Sequence, residues 1–259
     1  SLAPHAPYTV SDATFEKVIT YAEQLGLGIH THLHETKAEV AESIEKHGLR
    51  PIKRMANLGL LGPNLTAAHC VQINDEDLDL LSEHRAHVAH CPSSNAKLAS
   101  GIAPVNHLLN KGINVGLGTD GAASNNRQDM FTEMRLAALL AKATTEDATS
   151  IPAAQALEMA TINGARALGL DHQIGSIEVG KLADLSALRI ADVETLPCFD
   201  PLSHVIYACG REHVSHVWVA GDLRFERSSQ QAGLYANIEP SELKEIALLW
   251  QSKLNQHKA

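Results

Sequence analysis

The stretch LTAAHCV, residues 65–71, decides the fold, because a short apolar run ends there on a polar residue. Three other stretches repeat this design: GIHTHLHET at 28–36, HVAHCPSSN at 87–95 and NVGLGTDGAASNN at 114–126. Segments with helical periodicity separate them. Alternation of amphipathic helices with short apolar runs is typical of βα units on a parallel sheet. Four such units in succession predict an α/β protein of the TIM-barrel type, (β/α)8, of which this chain holds half.

The individual helices and strands can be placed by their caps and their periodicity. Ser11 can cap a first helix, and Gly26 ends it. The predicted helices cover 12–25, 37–46, a segment after Pro51, 76–83, 105–110, 129–143 and 152–168. The predicted strands cover 27–32, 65–69, 87–90 and 113–118.

The pattern changes after residue 172. Short strands and turns follow one another from Ile174 onward, and the run 216–220 alternates between the two faces of a strand. A last amphipathic helix is predicted over 240–254. We therefore expect a barrel segment at 1–172, a small β appendage at 173–230 and a C-terminal helical segment at 231–259.

Composition and charge exclude several classes of protein. Of the 259 residues 44% are hydrophobic, which is enough for a sizeable core. The formal net charge is −9, from 21 Lys and Arg against 30 Asp and Glu, and no dense basic cluster would attract nucleic acid or an anionic membrane. No apolar stretch is long enough to span a bilayer. The 4 cysteines show no CxxC spacing, which favours a reducing, cytoplasmic setting.

Polar side chains follow the predicted strands at the point where each strand ends. His32 and Glu35 follow the first strand, and His69 ends the second. His90 ends the third strand and is followed by Ser93-Ser94-Asn95, and Asp120 follows the fourth. In a parallel barrel the C-terminal ends of the strands meet at one face, where reactive side chains are found. We therefore expect these residues to line one pocket.

These residue types suit metal-assisted hydrolysis. Neutral imidazole and carboxylate bind divalent metals such as zinc, which lower the pKa of a bound water from about 15.7 towards 7. His32 and Asp120 suit the ligand role, and zinc is the leading candidate, although iron and manganese accept the same ligands. Glu35 is placed to move protons, and His69 could hydrogen-bond the activated water or a developing oxyanion.

Structural alternatives stay open for several of these residues. His30 and His34 share a strand face with His32, so one or two of the three could be buried, hydrogen-bonded histidines; the HxxE spacing favours His32 as the ligand. His69 could be a packed core histidine, and Asp120 a helix cap.

Three further residues follow buried strands. The role of His90 is left open. Cys70 and Cys91 are interpreted as small apolar side chains rather than nucleophiles.

The quoted motifs, together with AKL at 96–98 and GSIEVGKLADL at 175–185, resemble the amidohydrolase superfamily. Within it they are most similar to the 5-methylthioadenosine/S-adenosylhomocysteine deaminases, a group close to chlorotriazine hydrolases and guanine deaminases. The resemblance covers nearly the whole chain. It implies a barrel with a small composite β-sandwich, of which residues 173–230 would form the C-terminal part.

The resemblance also implies roles for individual residues. His32 and Asp120 match the fifth- and eighth-strand metal ligands, Glu35 the proton shuttle and His69 the sixth-strand histidine. His5 matches a histidine that contacts the purine, so His5 and Glu35 would bind substrate. The implied reaction is hydrolytic deamination of an adenosine-like thioether nucleoside, with release of ammonia. Guanine, a triazine or another heteroaryl amine is the alternative substrate.

One departure from the family pattern concerns the metal ligands. The paired HxH ligands of the first barrel strand are not matched, and His30-Thr31-His32 cannot replace them because it precedes the fifth-strand glutamate motif. The sequence therefore predicts the second half of a barrel. A separate N-terminal half, or a homo-oligomer, would complete it around a small-molecule nucleoside. The alternative from another class is an inactive half-barrel that serves as a scaffold.

Overall fold

The computed structural model describes residues 1–227, 234–235 and 239–256. Its first sheet has four parallel strands in the order β1-β2-β3-β4. These strands are β1 (Ile29–Leu33), β2 (Leu65–His69), β3 (His87–His90) and β4 (Asn114–Leu117). The α/β prediction is confirmed, and the parallel order without crossovers is the order of successive units in a βα barrel.

Nine helices accompany this sheet in the described part of the chain, and most lie close to their predicted bounds. They are α1 (Asp12–Leu25), α2 (Lys37–His47), α3 (Pro51–Asn57), α4 (Asp75–Glu83), α5 (Pro92–Lys97), α6 (Val105–Asn110), α7 (Met130–Thr145), α8 (Ala153–Ala160) and α9 (Ile162–Ala167). Helix α1 begins and ends as predicted: the Ser11 side chain accepts the Thr14 N–H, and Gly26 takes the left-handed conformation with φ 62°.

Packing between the sheet and its helices forms the core. Large side chains without solvent exposure come from α1, α3, α4, α6 and all parts of the sheet, and they include Phe15, Leu33, Met55, Leu65 and Leu81. Burying each such side chain contributes about 1.5–3 kcal/mol. The sheet is thereby held as a rigid platform whose strand ends have fixed positions.

The helix predicted over 152–168 is wrong as one continuous element. It breaks at Thr161, whose φ of −127° and ψ of −95° lie outside the helical region. The break lets α9 turn onto the sheet, where the Asn163 side chain donates to the Val115 carbonyl. A Cβ on Gly116 would lie only 3.2 Å from the Cα of Gly164, so the contact depends on glycine.

The second sheet is antiparallel, with the order β5-β6-β7-β8. Its strands are β5 (Leu185–Leu188), β6 (Val214–Val219), β7 (Asp222–Glu226) and β8 (Leu234–Tyr235). Between β5 and β6 lies α10 (Pro201–Tyr207), which the sequence did not predict and which contacts α7 and α8. The boundaries at residues 172 and 230 stay predictions, and 228–233, 236–238 and 257–259 lie outside the described residues.

The last described element is α11 (Pro240–Gln256), close to the predicted 240–254. It is mostly exposed along its length. No helix in the described part of the chain is long and apolar enough to cross a membrane.

Candidate active site

The backbone turns sharply where the strands of the first sheet end. His34, His69, Cys70 and Asp120 have positive φ values of 54°, 73°, 46° and 60°. A non-glycine residue in this region is strained by about 1–2 kcal/mol, and such strain clusters at functional sites. The strain therefore coincides with the strand ends at which the sequence predicts reactive side chains.

Three of the predicted histidines lie together at this end of the sheet. The ring centroids of His32 and His69 are 5.3 Å apart and the rings are stacked, while those of His5 and His32 are 5.0 Å apart. His32 Nδ1 lies 2.6 Å from the His5 carbonyl oxygen, which can only accept. His32 Nδ1 therefore carries the proton, and the lone pair is on Nε2.

His69 is oriented in the same way by Asn95, one of the polar residues that follow the third strand. Its Nδ1 lies 2.8 Å from the Asn95 Oδ1, so the lone pair of neutral His69 is on Nε2. That Nε2 is 3.8 Å from the Glu35 carboxylate. The Ser100 hydroxyl donates to the other Glu35 oxygen at 3.2 Å. His69 and Glu35 thus face each other across one small space.

Asp120 is held as an anion at the end of β4. Burial alone raises the pKa of this carboxyl, but hydrogen bonds from the Ser124 and Ser94 hydroxyls and the Gly121 N–H outweigh it, and the pKa lies below its usual value. The nearby His69 imidazole also lowers the pKa of Asp120. The carboxylate is therefore ionised at neutral pH and within electrostatic reach of His69.

Glu39 is a buried support that sequence analysis missed. Its carboxylate accepts the backbone N–H groups of His34 at 2.9 Å and Glu35 at 2.7 Å. The signal was present, since Thr36 and Glu39 have the spacing of a capping box. Thr36 does accept the Glu39 N–H at 3.1 Å, but the Glu39 side chain reaches past Thr36 to the strained turn.

His34 has a structural place. It is fully buried, its Nδ1 lies 3.0 Å from the Gln72 carbonyl, and its Nε2 accepts the Ile52 N–H at 3.0 Å at the start of α3. Both ring nitrogens are thus used within the fold. The His30 backbone N–H donates to the Leu2 carbonyl at 2.9 Å, but its ring makes no hydrogen bond within the described residues, and burial lowers its pKa.

The remaining candidates on the strand ends are also buried. Burial and the nearby His69 imidazole lower the pKa of His90 to about 4. Burial raises the pKa of Cys70, and it raises that of Cys91 to about 12. Neither thiol ionises near neutral pH, so neither is suited to act as a nucleophile.

The donor set fits a divalent metal in part. His32 Nε2 and the ionised Asp120 carboxylate are ligand types that zinc, iron and manganese accept, and the hydrogen bond on His32 Nδ1 is the usual support of a ligating imidazole. Within the residues that the structure describes, no group of three or more His, Cys, Asp or Glu could hold a metal by itself. Catalytic zinc usually has three protein ligands, so further ligands are needed beside these two.

The residues that form the parallel sheet and this cluster lie within the match to one protein family. The amidohydrolase family model matches residues 1–224, and the chain belongs to that family.

Its relatives include 5-methylthioadenosine/S-adenosylhomocysteine deaminase of Teredinibacter turnerae, 50% identical over 219 residues, which are 85% of this chain and 50% of the relative. The 5'-deoxyadenosine deaminase of Methanothermobacter thermautotrophicus is 46% identical over 217 residues, covering 84% of this chain and 50% of the relative. The chain spans about half the length of these curated relatives.

Solved structures give the same result. A zinc-bound adenosine deaminase from Xanthomonas campestris matches with a TM-score of 0.94 and 45% identity, over 98% of this chain and 57% of that one. A zinc complex of atrazine chlorohydrolase from Arthrobacter aurescens matches with a TM-score of 0.84 and 27% identity, over 90% of this chain and 52% of that one. The fold prediction is thereby confirmed.

Proposed function

We propose that the chain carries the second half of the active site of a metal-dependent deaminase for adenosine-like thioether nucleosides, 5'-methylthioadenosine or S-adenosylhomocysteine. The observation that carries the proposal is the cluster in which His32 stacks on His69 and His69 Nε2 lies 3.8 Å from Glu35. The names of the 44–50% identical relatives support the choice of substrate.

His32 and Asp120 would hold the metal, most simply zinc, with iron and manganese as alternatives. The bound ion would lower the pKa of a water molecule from about 15.7 towards 7 and so supply a nucleophile at neutral pH. The orientation of His32 by the His5 carbonyl and the ionised state of Asp120 support this assignment.

The protein side chains move the protons. Glu35, which is 15% exposed, takes one proton of the attacking water and gives it to the ring nitrogen beside C6 as the oxygen adds to that carbon. His69, with its lone pair on Nε2, accepts a hydrogen bond there from the O–H of the attacking oxygen. Asp120 takes the remaining proton of that water and passes it to the departing amine, which leaves as ammonia. His5 contacts the purine ring from the edge of the site.

A deaminase or hydrolase of guanine, a triazine or another heteroaryl amine is the second candidate. The structural match to atrazine chlorohydrolase favours it, but the identity of 27% is well below the 50% of the nucleoside deaminase relative. An inactive half-barrel is the third. It shares the fold and would bind no metal at the cluster.

The test is ammonia release by the zinc-loaded protein from a substrate panel. Because the relatives are about twice as long, the chain is assayed alone and after fusion of Ser1 to the amino-terminal half of the T. turnerae enzyme. Methylthioadenosine and S-adenosylhomocysteine should give the highest kcat/KM, above adenosine, guanine and atrazine. A higher kcat/KM for guanine or atrazine would replace the substrate class. Failure of both proteins to hold zinc would favour the scaffold.

A further inference from the structure

The carboxylate of Asp120 has almost all of its acceptor positions filled. The Ser94 and Ser124 hydroxyls both donate to Oδ2, each at 2.6 Å, and the Gly121 N–H donates to Oδ1 at 2.6 Å. An ionised carboxylate has about four lone-pair positions, two on each oxygen. Both positions on Oδ2 and one on Oδ1 are thus used. One position, on Oδ1, is left for a cation.

The Ser124 hydroxyl has a second acceptor within reach, the Gly121 carbonyl at 3.2 Å. A hydroxyl has a single proton. A charged oxygen at 2.6 Å is the stronger acceptor, because hydrogen bonds to ionised groups are shorter and about twice as strong as neutral ones. Before the reaction Ser124 therefore donates to Asp120, and when Asp120 takes up a proton the same hydroxyl can turn to the Gly121 carbonyl, which frees one position on Oδ2.

The two serines approach Asp120 from different parts of the chain. Ser94 is fully buried on α5, which follows β3, while Ser124 is half-buried in the loop after β4. Lys97 joins these two parts, because its Nζ donates to the Ala123 carbonyl and to the Asn126 side chain, each at 2.7 Å. Asp120 itself has a positive φ of 60°. The carboxylate is therefore clamped in one orientation from two sides.

We propose that Ser94 and Ser124 are positioning residues that make Asp120 a metal ligand through Oδ1 alone. The proposal rests on the proposed function, since it takes Asp120 as a ligand. It adds that Oδ1 is the oxygen offered to the metal and that Ser94 and Ser124 determine this. Partners of this kind typically contribute about 10- to 100-fold to metal affinity.

The measured quantity is the Kd for Zn²⁺ of the purified chain, by competition with a chromophoric chelator at a pH near neutrality. Ser94→Ala and Ser124→Ala should each raise this Kd by about 10- to 100-fold. Ser124→Thr keeps the hydroxyl and should restore the parent value.

Ser93→Ala is the matched control, because Ser93 precedes Ser94 directly and its hydroxyl makes no hydrogen bond within the described residues. It should leave the Kd unchanged. Circular dichroism of each metal-free variant reports folding; if Ser94→Ala does not fold, the half-exposed Ser124 carries the test with its Thr rescue. A purely structural role would lower the unfolding midpoint and leave the Kd unchanged.

Asp120→Ala tests the assignment of Asp120 as a ligand separately from the role of the two serines. If it loses zinc while both serine-to-alanine variants bind as tightly as the parent, the clamp is refuted and the ligand assignment stands. If Asp120→Ala itself binds zinc like the parent, the ligand assignment fails, and the proposed function fails with it.

Discussion

All five residues of β2 in the parallel sheet are buried, whereas no residue of β5 in the antiparallel sheet is buried. The contrast extends to β6 and β7, whose residues are half-buried or exposed. Two sheets of four strands each thus differ in how much apolar surface they remove from water. Helices cover the first sheet, and parallel sheets in α/β proteins are normally covered on both faces.

The difference shows where chemistry can be placed. A buried polar side chain is stable only where it finds hydrogen-bond partners, and at the ends of these strands neighbouring elements supply them. Asp120 and His69 are such cases, each held by side chains from α5. The parallel sheet therefore carries both the stability and the candidate site, and substitutions in it should separate the two.

The largest expected effect is on turnover. Glu35→Gln removes the proposed proton donor without touching the candidate ligands, so kcat of the zinc-loaded protein should fall by about 10²- to 10⁴-fold. The zinc content and the unfolding midpoint should stay near the parent values. Steady-state kinetics and metal analysis measure both. Glu178→Gln, at an exposed glutamate just before the antiparallel sheet, is the control and should be fully active. If Glu35→Gln deaminates at the parent rate, Glu35 does not carry the proton to the ring nitrogen.

The contrast in burial also explains what the sequence could predict. All of β2 and every second residue of β1 and β3 are buried, which gives these strands their short apolar runs. Their polar ends indicated His32, Glu35, His69 and Asp120. The HxxE spacing separated His32 from His34. In the structure both ring nitrogens of His34 are used within the fold.

What the sequence could not predict depends on contacts between distant segments. The buried Ser94 and the half-exposed Ser93 are neighbours of the same type, and only the position of Asp120 distinguishes them. The helix break at Thr161 follows from the packing of α9 on the sheet, which helical periodicity does not contain. Local pattern predicts which residues are polar at a strand end, and tertiary contacts decide what each one holds.

A matched pair of leucines tests the stability side of the comparison. Leu65 begins β2 and has no solvent exposure, while Leu185 begins β5 and is half-buried. Leu65→Ala should lower the free energy of unfolding by about 2–5 kcal/mol, because it leaves a cavity in a closely packed core. Leu185→Ala should cost clearly less. Equal losses in urea denaturation would show that the second sheet is as tightly packed as the first.

The buried histidine at the end of β1 tests whether structure and chemistry can be separated there. His34→Leu leaves the Ile52 N–H without its acceptor, which should cost about 1–3 kcal/mol in the free energy of unfolding. Zinc affinity should be unchanged. The exposed His172→Leu should change neither quantity. A loss of zinc binding in a folded His34→Leu protein would mean that this residue belongs to the site.

The smallest effect, when counted per pH unit, is the change of stability with pH that the buried His90 causes. Burial and the nearby His69 imidazole lower its pKa to about 4 in the folded chain, against about 6.5 for an unfolded histidine. Between these values the unfolded chain binds a proton that the folded chain does not, so stability falls as the pH drops from about 6.5 to about 4.

The contribution of His90 is at most about 1.4 kcal/mol per pH unit in that window and vanishes above it. His90→Gln cannot take up the proton and should flatten the slope there, whatever its effect at pH 8. The exposed His84→Gln is the control and should keep the parent slope. Denaturation curves at about every half pH unit, from about pH 4.5 to about 8, give the slope of the unfolding free energy across the range in which histidine titrates. Parallel slopes for His90→Gln and the parent would mean that His90 takes up its proton equally in both states, and the burial of β3 would then not extend to its last residue.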